Sequence, residues 1–307
     1  MPLVIPTDET QRIELDELVE HLFEAKIDVG DHAALASVAP LLRRLANNRD
    51  FLVDSVVDEL KASDTLQDGN NYSPQVFMLY PPQRRGQMFF MRACFWPSAQ
   101  EQLLKVSGED PFFYYKPHDH NFNFLTVGYL GPGYWSNYYE YDYESVVGYP
   151  GEEVDLRFIE KSRLHEGKVM LYRACVDVHD QLPADAFSVS LNIMENTLRA
   201  QHFDQYSFNV GTKRVKKIIN RIGAPALFDA VSYLGDDGDR ALVAEIGRKH
   251  ASNRIRYCAL QSLSNAAPTI EASLDVLRGV SESAPALIRA WAGERARRLE
   301  AAAKAAA

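Results

Sequence analysis

The chain has 307 residues, of which 46% are hydrophobic and 24% charged, and a net charge of −9. This is the make-up of a globular protein long enough to bury a large core and to divide into domains. The acidity argues against general nucleic-acid binding, and no apolar run approaches the roughly 18 residues needed to cross a bilayer. The opening MPLVIPTDET lacks a basic n-region and an apolar h-region, so a cytoplasmic protein is expected. Cys94, Cys175 and Cys258 lie far apart and outside any CxxC spacing. They frame neither a disulfide scaffold nor a zinc knuckle and read as buried thiols.

Residues 11 to about 63 carry helical periodicity, with Ile13, Leu15, Leu18, Val19 and Leu22, then Leu41, Leu42, Leu45, Phe51, Leu52, Val56 and Leu60, on repeating faces. The turn-rich stretch 64–73 closes this N-terminal helical region, taken as 1–73. From 74 to 210 the pattern is one of short strands, expected at 75–80, 87–96, 111–116, 122–130, 134–142, 153–160, 168–177, 186–194 and 203–209. Gly131-Pro132-Gly133 reads as a hairpin turn among them. Strands in series without intervening helices indicate an all-β barrel or jelly roll.

From Gly211 the chain reads as helical to its end, a third region spanning 211–307, with Ala301 to Ala307 a frayed tail. The stretches 253–260 and 286–292, 33 residues apart, each put an Arg before a small and apolar helical run, as HEAT-like repeats do and as ordinary α-hairpins with no repeat ancestry do equally. The expected class is thus α+β: N-terminal helices, a central β-barrel and a C-terminal helical domain. Residues 211–307 hold 16 Lys and Arg against 10 Asp and Glu, a balance of +6, which leaves −15 before them. The cluster Lys213, Arg214, Lys216, Lys217 and Arg221 reads as a basic helix, either docked on the acidic barrel or presenting a surface to an acidic peptide or protein.

The densest chemical signal is Lys116-Pro117-His118-Asp119-His120, because side chains at i and i+2 of an extended segment point to one side. A third imidazole is available from His165, in a turn-like Arg163–Gly167, or from His179. The latter is favoured: it ends one strand just before the strand Phe187–Met194, in a hairpin that can face the first pair. Three neutral imidazoles suit Fe, Zn, Ni or Cu and leave coordination positions open; the plain alternative is a set of satisfied core histidines. Arg92 either grips a carboxylate or points into solvent. Tyr129, Tyr134, Tyr138, Tyr139, Tyr141 and Tyr143 read as strand-forming core residues, one or two of them lining an apolar pocket. Glu140, Asp142 and Glu144 read as a solvated face and not as a second metal site.

Together, His118-Asp119-His120, the Gly167 turn, His179 and the strand Ser188–Met194 resemble the two metal motifs of cupins, in particular the three-histidine thiol dioxygenase-like cupins, over roughly residues 75 to 200. That resemblance implies a jelly roll holding Fe(II) through His118, His120 and His179, with Ser190 at the position of the family's serine. It implies an oxygenase acting with O₂ on a small amino-acid-like or aromatic compound or on a peptide side chain; the residues expected to serve catalysis in this chain are Arg92, Ser190 and Asn192. Three departures accompany it. Leu125 stands five residues past His120, where many cupins have a metal-binding Glu. Asn192 and Met194 replace the His and Tyr that thiol dioxygenases keep beside the oxygen site. The segment Ser98–Gly108 is inserted, as a lid or a packing helix. Two further expectations are a metal-binding sensor or scaffold whose C-terminal helices dock a protein or peptide, and a zinc- or nickel-dependent isomerase or hydrolase.

Overall fold

The computed structural model describes residues 1–62, 67, 70, 72–73, 75–82, 86–146, 148–198, 200, 203–220 and 224–306. Arg221 and most of the 64–73 turn lie outside the described residues. The N-terminal part contains β1 (Leu3–Ile5), α1 (Leu15–Glu24), α2 (His32–Ala36), α3 (Ala39–Asn47) and α4 (Phe51–Ala62). The central part runs through β2 (Val76–Tyr80), β3 (Phe89–Trp96), α5 (Gln102–Ser107), β4 (Phe124–Leu130), β5 (Trp135–Glu140), β6 (Arg157–Arg163), β7 (Val169–Tyr172), β8 (Asp177–Leu182), β9 (Ser188–Glu195), β10 (Tyr206–Asn209) and β11 (Arg214–Ile218). The chain closes with α6 (Ala224–Leu234), α7 (Asp237–Lys249), α8 (Asn253–Ala266), α9 (Ile270–Arg278) and α10 (Ala286–Ala306).

Two antiparallel sheets form a sandwich. The first has the order β1-β7-β4-β9-β3-β2; the second contains β6-β5-β8 and the hairpin β10-β11. The segment around His118 joins the two pieces of the second sheet. His118 N donates to His179 O (3.0 Å) and His179 N to His118 O (2.9 Å) on one side; Asp119 N donates to Tyr206 O (3.1 Å) and Phe208 N to Pro117 O (2.9 Å) on the other. Strand alternation then assigns the faces. Phe89, Met91 and Ala93 of β3 turn outward with Leu125, Val127, Leu171, Leu191 and Ile193, and meet Leu18, Leu22, Leu42 and Leu45 of the N-terminal helices. Phe90, Cys94 and Trp96 turn inward with Phe124, Met170, Tyr172 and Met194, and meet Tyr138 of the second sheet.

The N-terminal helices are built for that role. A capping box ties Glu14 to Glu17 at the start of α1, Pro40 opens α3, and the buried residues of each helix fall on one face. Because helices cover one face of the first sheet and the second sheet covers the other, every residue of β9 is buried.

Several expectations are corrected by the strands themselves. Residues 111–116 do not form one strand: a 3₁₀ turn occupies Asp110–Phe112, and Phe113 and Tyr115 have φ of 57° and 56°, a left-handed backbone no strand tolerates. Gly131-Pro132-Gly133 is not a hairpin turn, since β4 and β5 lie in different sheets. The two glycines, at φ of 80° and 83°, swing the chain across the sandwich. A Cβ on Gly133 would stand 1.9 Å from the Leu164 carbonyl oxygen, so only glycine fits there. The expected strand 168–177 is likewise broken, with Cys175 at φ 61° where β7 hands over to β8 in the opposite sheet. Arg173 clamps that crossing, its backbone N donating to Asp177 Oδ2 (2.7 Å) and its guanidinium to Asp177 Oδ1 (2.7 Å) and Glu140 Oε1 (2.8 Å). The inserted α5 is a packing helix, with Leu104 in the core beside Trp96 and Tyr114.

The expected basic helix from residue 211 is also corrected. Arg214–Ile218 is strand β11, paired with β10, and helix begins only at Ala224. Val215 is buried at 1% exposure while Arg214, Lys216 and Lys217 are exposed, an alternation that suits an edge strand guarded by lysines. Val215 packs with Tyr206, Phe208 and Tyr141 on the outer face of the second sheet. A fragment ending at Asn220 is therefore expected to unfold at higher urea than one ending at Val210, which would lose this strand and uncover that cluster. Equal midpoints would show that β11 adds nothing to the sandwich.

In the C-terminal part, the 33-residue spacing places Arg256 and Arg289 at matching positions of α8 and α10. Each donates to backbone carbonyls just upstream of its helix: Arg256 to Gly247 O (3.2 Å), Arg289 to Ala284 O and Glu282 O. Tyr257 meets Trp291 edge-on at 4.7 Å between these helices. The helical part docks on the sandwich through the Arg254–Asp204 ion pair and through Arg298 above the Tyr149 ring. The expected frayed tail is corrected as well, since α10 continues through Ala306.

Candidate metal centre

His118 and His120 project into the space between the sheets because their extended segment is bridged to β8 on one side and β10 on the other, with Asp119 pointing to the opposite side. Asp119 is fully buried, accepts from Tyr141 Oη (2.5 Å) and Tyr206 N (2.6 Å), and so anchors the segment from behind. Burial raises its carboxyl to about 7 against the pull of those bonds. His179 lies in the middle of β8, directly opposite His118, and not at the strand end or in a hairpin as expected.

The ligating atoms of His118, His120 and His179 all lie within 4.8 Å of one another, and among the described residues no other group of His, Cys, Asp and Glu converges this way. All three rings are buried, at 4%, 6% and 2% exposure. His165 is excluded from the cluster: it is exposed in its turn, with Nδ1 donating to Glu166 O. Glu140 belongs to the Arg173 and Arg157 ion pairs.

Burial holds the imidazoles neutral. It pulls His118 down to about 4, and together with the neighbouring rings it pulls His120 and His179 well below their ordinary value of 6.5. An unfolded chain takes up these protons near 6.5, whereas folded His118 refuses one until about 4, so the metal-free protein loses stability as pH falls through that interval. Urea midpoints of the metal-free protein should drop between those two pH values, and drop less in His118→Gln. An identical drop in the variant would remove His118 as the cause.

The donor set fits a divalent transition metal. His118 Nδ1 must donate to Lys116 O (2.6 Å), which leaves the Nε2 lone pair facing His179 Nε2 at 3.3 Å. His120 Nδ1 is buried without a hydrogen-bond partner. Neutral imidazole nitrogens converging in a dry site are what Fe, Zn, Ni and Cu bind. No carboxylate joins them. Leu125 faces the N-terminal helices, and it is the neighbouring Phe124 that approaches the metal site, its ring 4.8 Å from that of His120 and stacked on Tyr172 at 4.2 Å.

The three histidines open onto a cavity of about 200 Å³, lined among others by Arg92, Cys94, Trp96, Phe113, Phe122, Tyr134, Gln181 and Asn192. Arg92 and Asn192 are register partners on β3 and β9, so both face inward from one row of the first sheet. Among the described residues Arg92 is the only charged side chain lining the cavity and its Nε has no hydrogen-bond partner; its guanidinium lies 4.9 Å from the Tyr72 ring centroid. Asn192 Nδ2 donates to Cys94 Sγ (3.4 Å). Ser190 does not line the cavity; it accepts from Trp96 Nε1 (2.9 Å). Met194 is fully buried in the same inner core. Among the tyrosines, Tyr134 lines the cavity, while Tyr129 points away and donates to Asn48 O (3.1 Å) and Arg49 O (3.0 Å). Sequence reasoning missed Tyr172, whose hydroxyl lies 3.3 Å from His179 Nδ1. Its one signal was position, seven residues before His179 on a strand ending in Met-Leu-Tyr.

No family model matches the chain. No curated protein matches its sequence. Among solved structures, vicilin from Corylus avellana (hazelnut) matches at 12% identity and a TM-score of 0.19, covering 42% of this chain. The chain spans about a third of that structure, 33% of its length, and at such a score the likeness fixes neither fold nor function. What stands on geometry alone is a three-histidine cluster in the interior of a β-sandwich, competent to hold a metal ion.

Proposed function

We propose that the protein is a cupin-type, mononuclear non-haem Fe(II) oxygenase acting with O₂ on a small carboxylate-bearing compound, amino-acid-like or aromatic. The observation that carries this reading is the convergence of three neutral imidazoles, with no carboxylate among them, on a cavity lined by aromatic rings. Fe(II) held by His118, His120 and His179 would supply redox chemistry toward O₂ and open coordination positions for substrate. The chain's own residues do the rest. Arg92, the sole charge among the described residues of the cavity, matches a carboxylate bidentately. Trp96, Phe113, Phe122 and Tyr134 exclude water and hold an apolar body, and the amides of Gln181 and Asn192 orient polar groups by hydrogen bonding. The cavity volume favours a small molecule over a bulky side chain of a folded protein. Among the described residues no helix is long and apolar enough to cross a membrane, in keeping with a cytoplasmic setting.

The direct test is oxygen uptake by the Fe(II)-loaded protein in cell extract, with mass spectrometry of products gaining one or two oxygen atoms. Uptake no greater than that of the His179→Ala protein would sink the oxygenase reading and leave a metal-binding sensor or a redox-inert metal enzyme. Little sulfinate is expected from cysteine or 3-mercaptopropionate, because Asn192 and Met194 stand where thiol dioxygenases carry a His and a Tyr, and partners around a metal tune its reactivity strongly. Robust sulfinate formation would show that those two side chains are dispensable.

A further inference from the structure

Resting on metal binding by the three histidines, we infer that Tyr172 is a positioning residue whose hydroxyl reverses its hydrogen bond to let His179 change tautomer when metal binds. The argument begins with His118. Its Nδ1 donates to the Lys116 carbonyl, so its Nε2 can only accept. His179 Nε2 lies 3.3 Å from that atom, and two lone pairs would repel. In the metal-free protein His179 must therefore carry its proton on Nε2 and donate it to His118, which leaves its Nδ1 as an acceptor. Among the described residues its hydrogen-bond partner is the Tyr172 hydroxyl at 3.3 Å, which must donate.

Metal binding leaves His118 as it is and inverts the roles of His179 and Tyr172. An Nε2 that ligates a metal has no proton, so the proton of neutral His179 moves to Nδ1 and needs an acceptor. Tyr172 can supply one only if its own O–H turns elsewhere. Two hydroxyls are in place to receive it: Tyr138 Oη at 3.2 Å and Tyr134 Oη at 3.5 Å. All three tyrosines are buried. The proton count does not change: one proton moves between the two nitrogens of one ring, and a hydroxyl rotates. Tyr138 and Tyr134 back each other up as final acceptors, whereas Tyr172 has no substitute.

The experiment uses the full-length protein with Co(II) as the titrant, and ¹⁵N NMR of the histidine rings with Zn(II) as the diamagnetic probe. Tyr172→Phe keeps the ring stacked on Phe124 and removes only the oxygen; it should weaken Co(II) binding at least about tenfold, while the metal-free protein still unfolds cooperatively, its urea midpoint lowered by the one hydrogen bond lost at His179 Nδ1. Tyr134→Phe and Tyr138→Phe singly should change affinity less than about twofold, and the double variant should approach the Tyr172→Phe loss. The His179 ring should be the Nε2–H tautomer without metal and Nδ1–H with Zn(II). Wild-type affinity in Tyr172→Phe, or an Nδ1–H ring already present without metal, overturns the inference while leaving the metal site intact. Absence of binding to the wild-type protein overturns the metal reading itself, and this inference with it.

Discussion

Stoichiometric Fe(II) or Co(II) binding is expected to vanish in each of His118→Ala, His120→Ala and His179→Ala, with the sandwich still folded. The loss should be complete because no neighbouring carboxylate or thiol converges on the site to replace a missing imidazole. Folding should survive because the segments carrying these residues are held by backbone bonds on both sides and by separate apolar clusters, so the fold does not depend on the metal in the way a zinc finger does. His165→Ala should bind metal almost normally, its ring being exposed and engaged only with the Glu166 carbonyl. Metal retained by the His179 variant but lost by the His165 variant would reverse the ligand assignment. The measurement is metal content after gel filtration, with circular dichroism on the same samples.

Leu125→Glu is the second large effect. Counting residues from His120 makes position 125 look like the place to restore a fourth, acidic ligand, but the side chain at 125 has no exposure and lies among Leu42, Leu45 and Leu171 beneath the helical layer. A carboxylate there has no partner and must be buried charged or protonated, at a cost of at least about 3 kcal/mol. Denaturant titration should show that loss, with no gain in metal affinity. Phe124→Glu, one residue earlier, directs a carboxylate toward His120 and should tighten Co(II) binding relative to Phe124→Gln. Tighter metal binding in Leu125→Glu than in Phe124→Glu would mean the strand register at His120 has been misassigned.

The histidine pair was legible because strand geometry alone puts i and i+2 on one side, and His179 was legible as the better of two candidates. Its surroundings were not. Asp-Val-His-Asp-Gln-Leu looks like a turn because its polar residues are the buried ones, facing an interior that is itself polar around the site. Residues 111–116 looked like a strand because aromatic residues carry strand propensity, yet two of them sit in left-handed backbone. Strand β11 was hidden by its lysines, which suit a solvent-facing helix and an exposed sheet edge equally well. Ser190 lies on β9, within the strand expected there, but its tie to the Trp96 indole depends on a contact 94 residues away that no local pattern encodes. The same holds for Tyr172: only the fold brings the Tyr134 and Tyr138 hydroxyls beside it.

The segment that carries His118 and His120 is an extended stretch with backbone bonds to β8 on one edge and to β10 on the other. Loops that carry ligands order around an ion and can release it by local fraying; this stretch cannot fray without breaking bonds in both neighbours. Its amide protons at His118 and Asp119 should therefore exchange with solvent only when the whole sandwich opens, and bound metal should slow them by the same factor as the other slowest-exchanging amides of the sandwich. The ordering entropy is met once, during folding, so a metal arriving from solution finds its ligands already aligned.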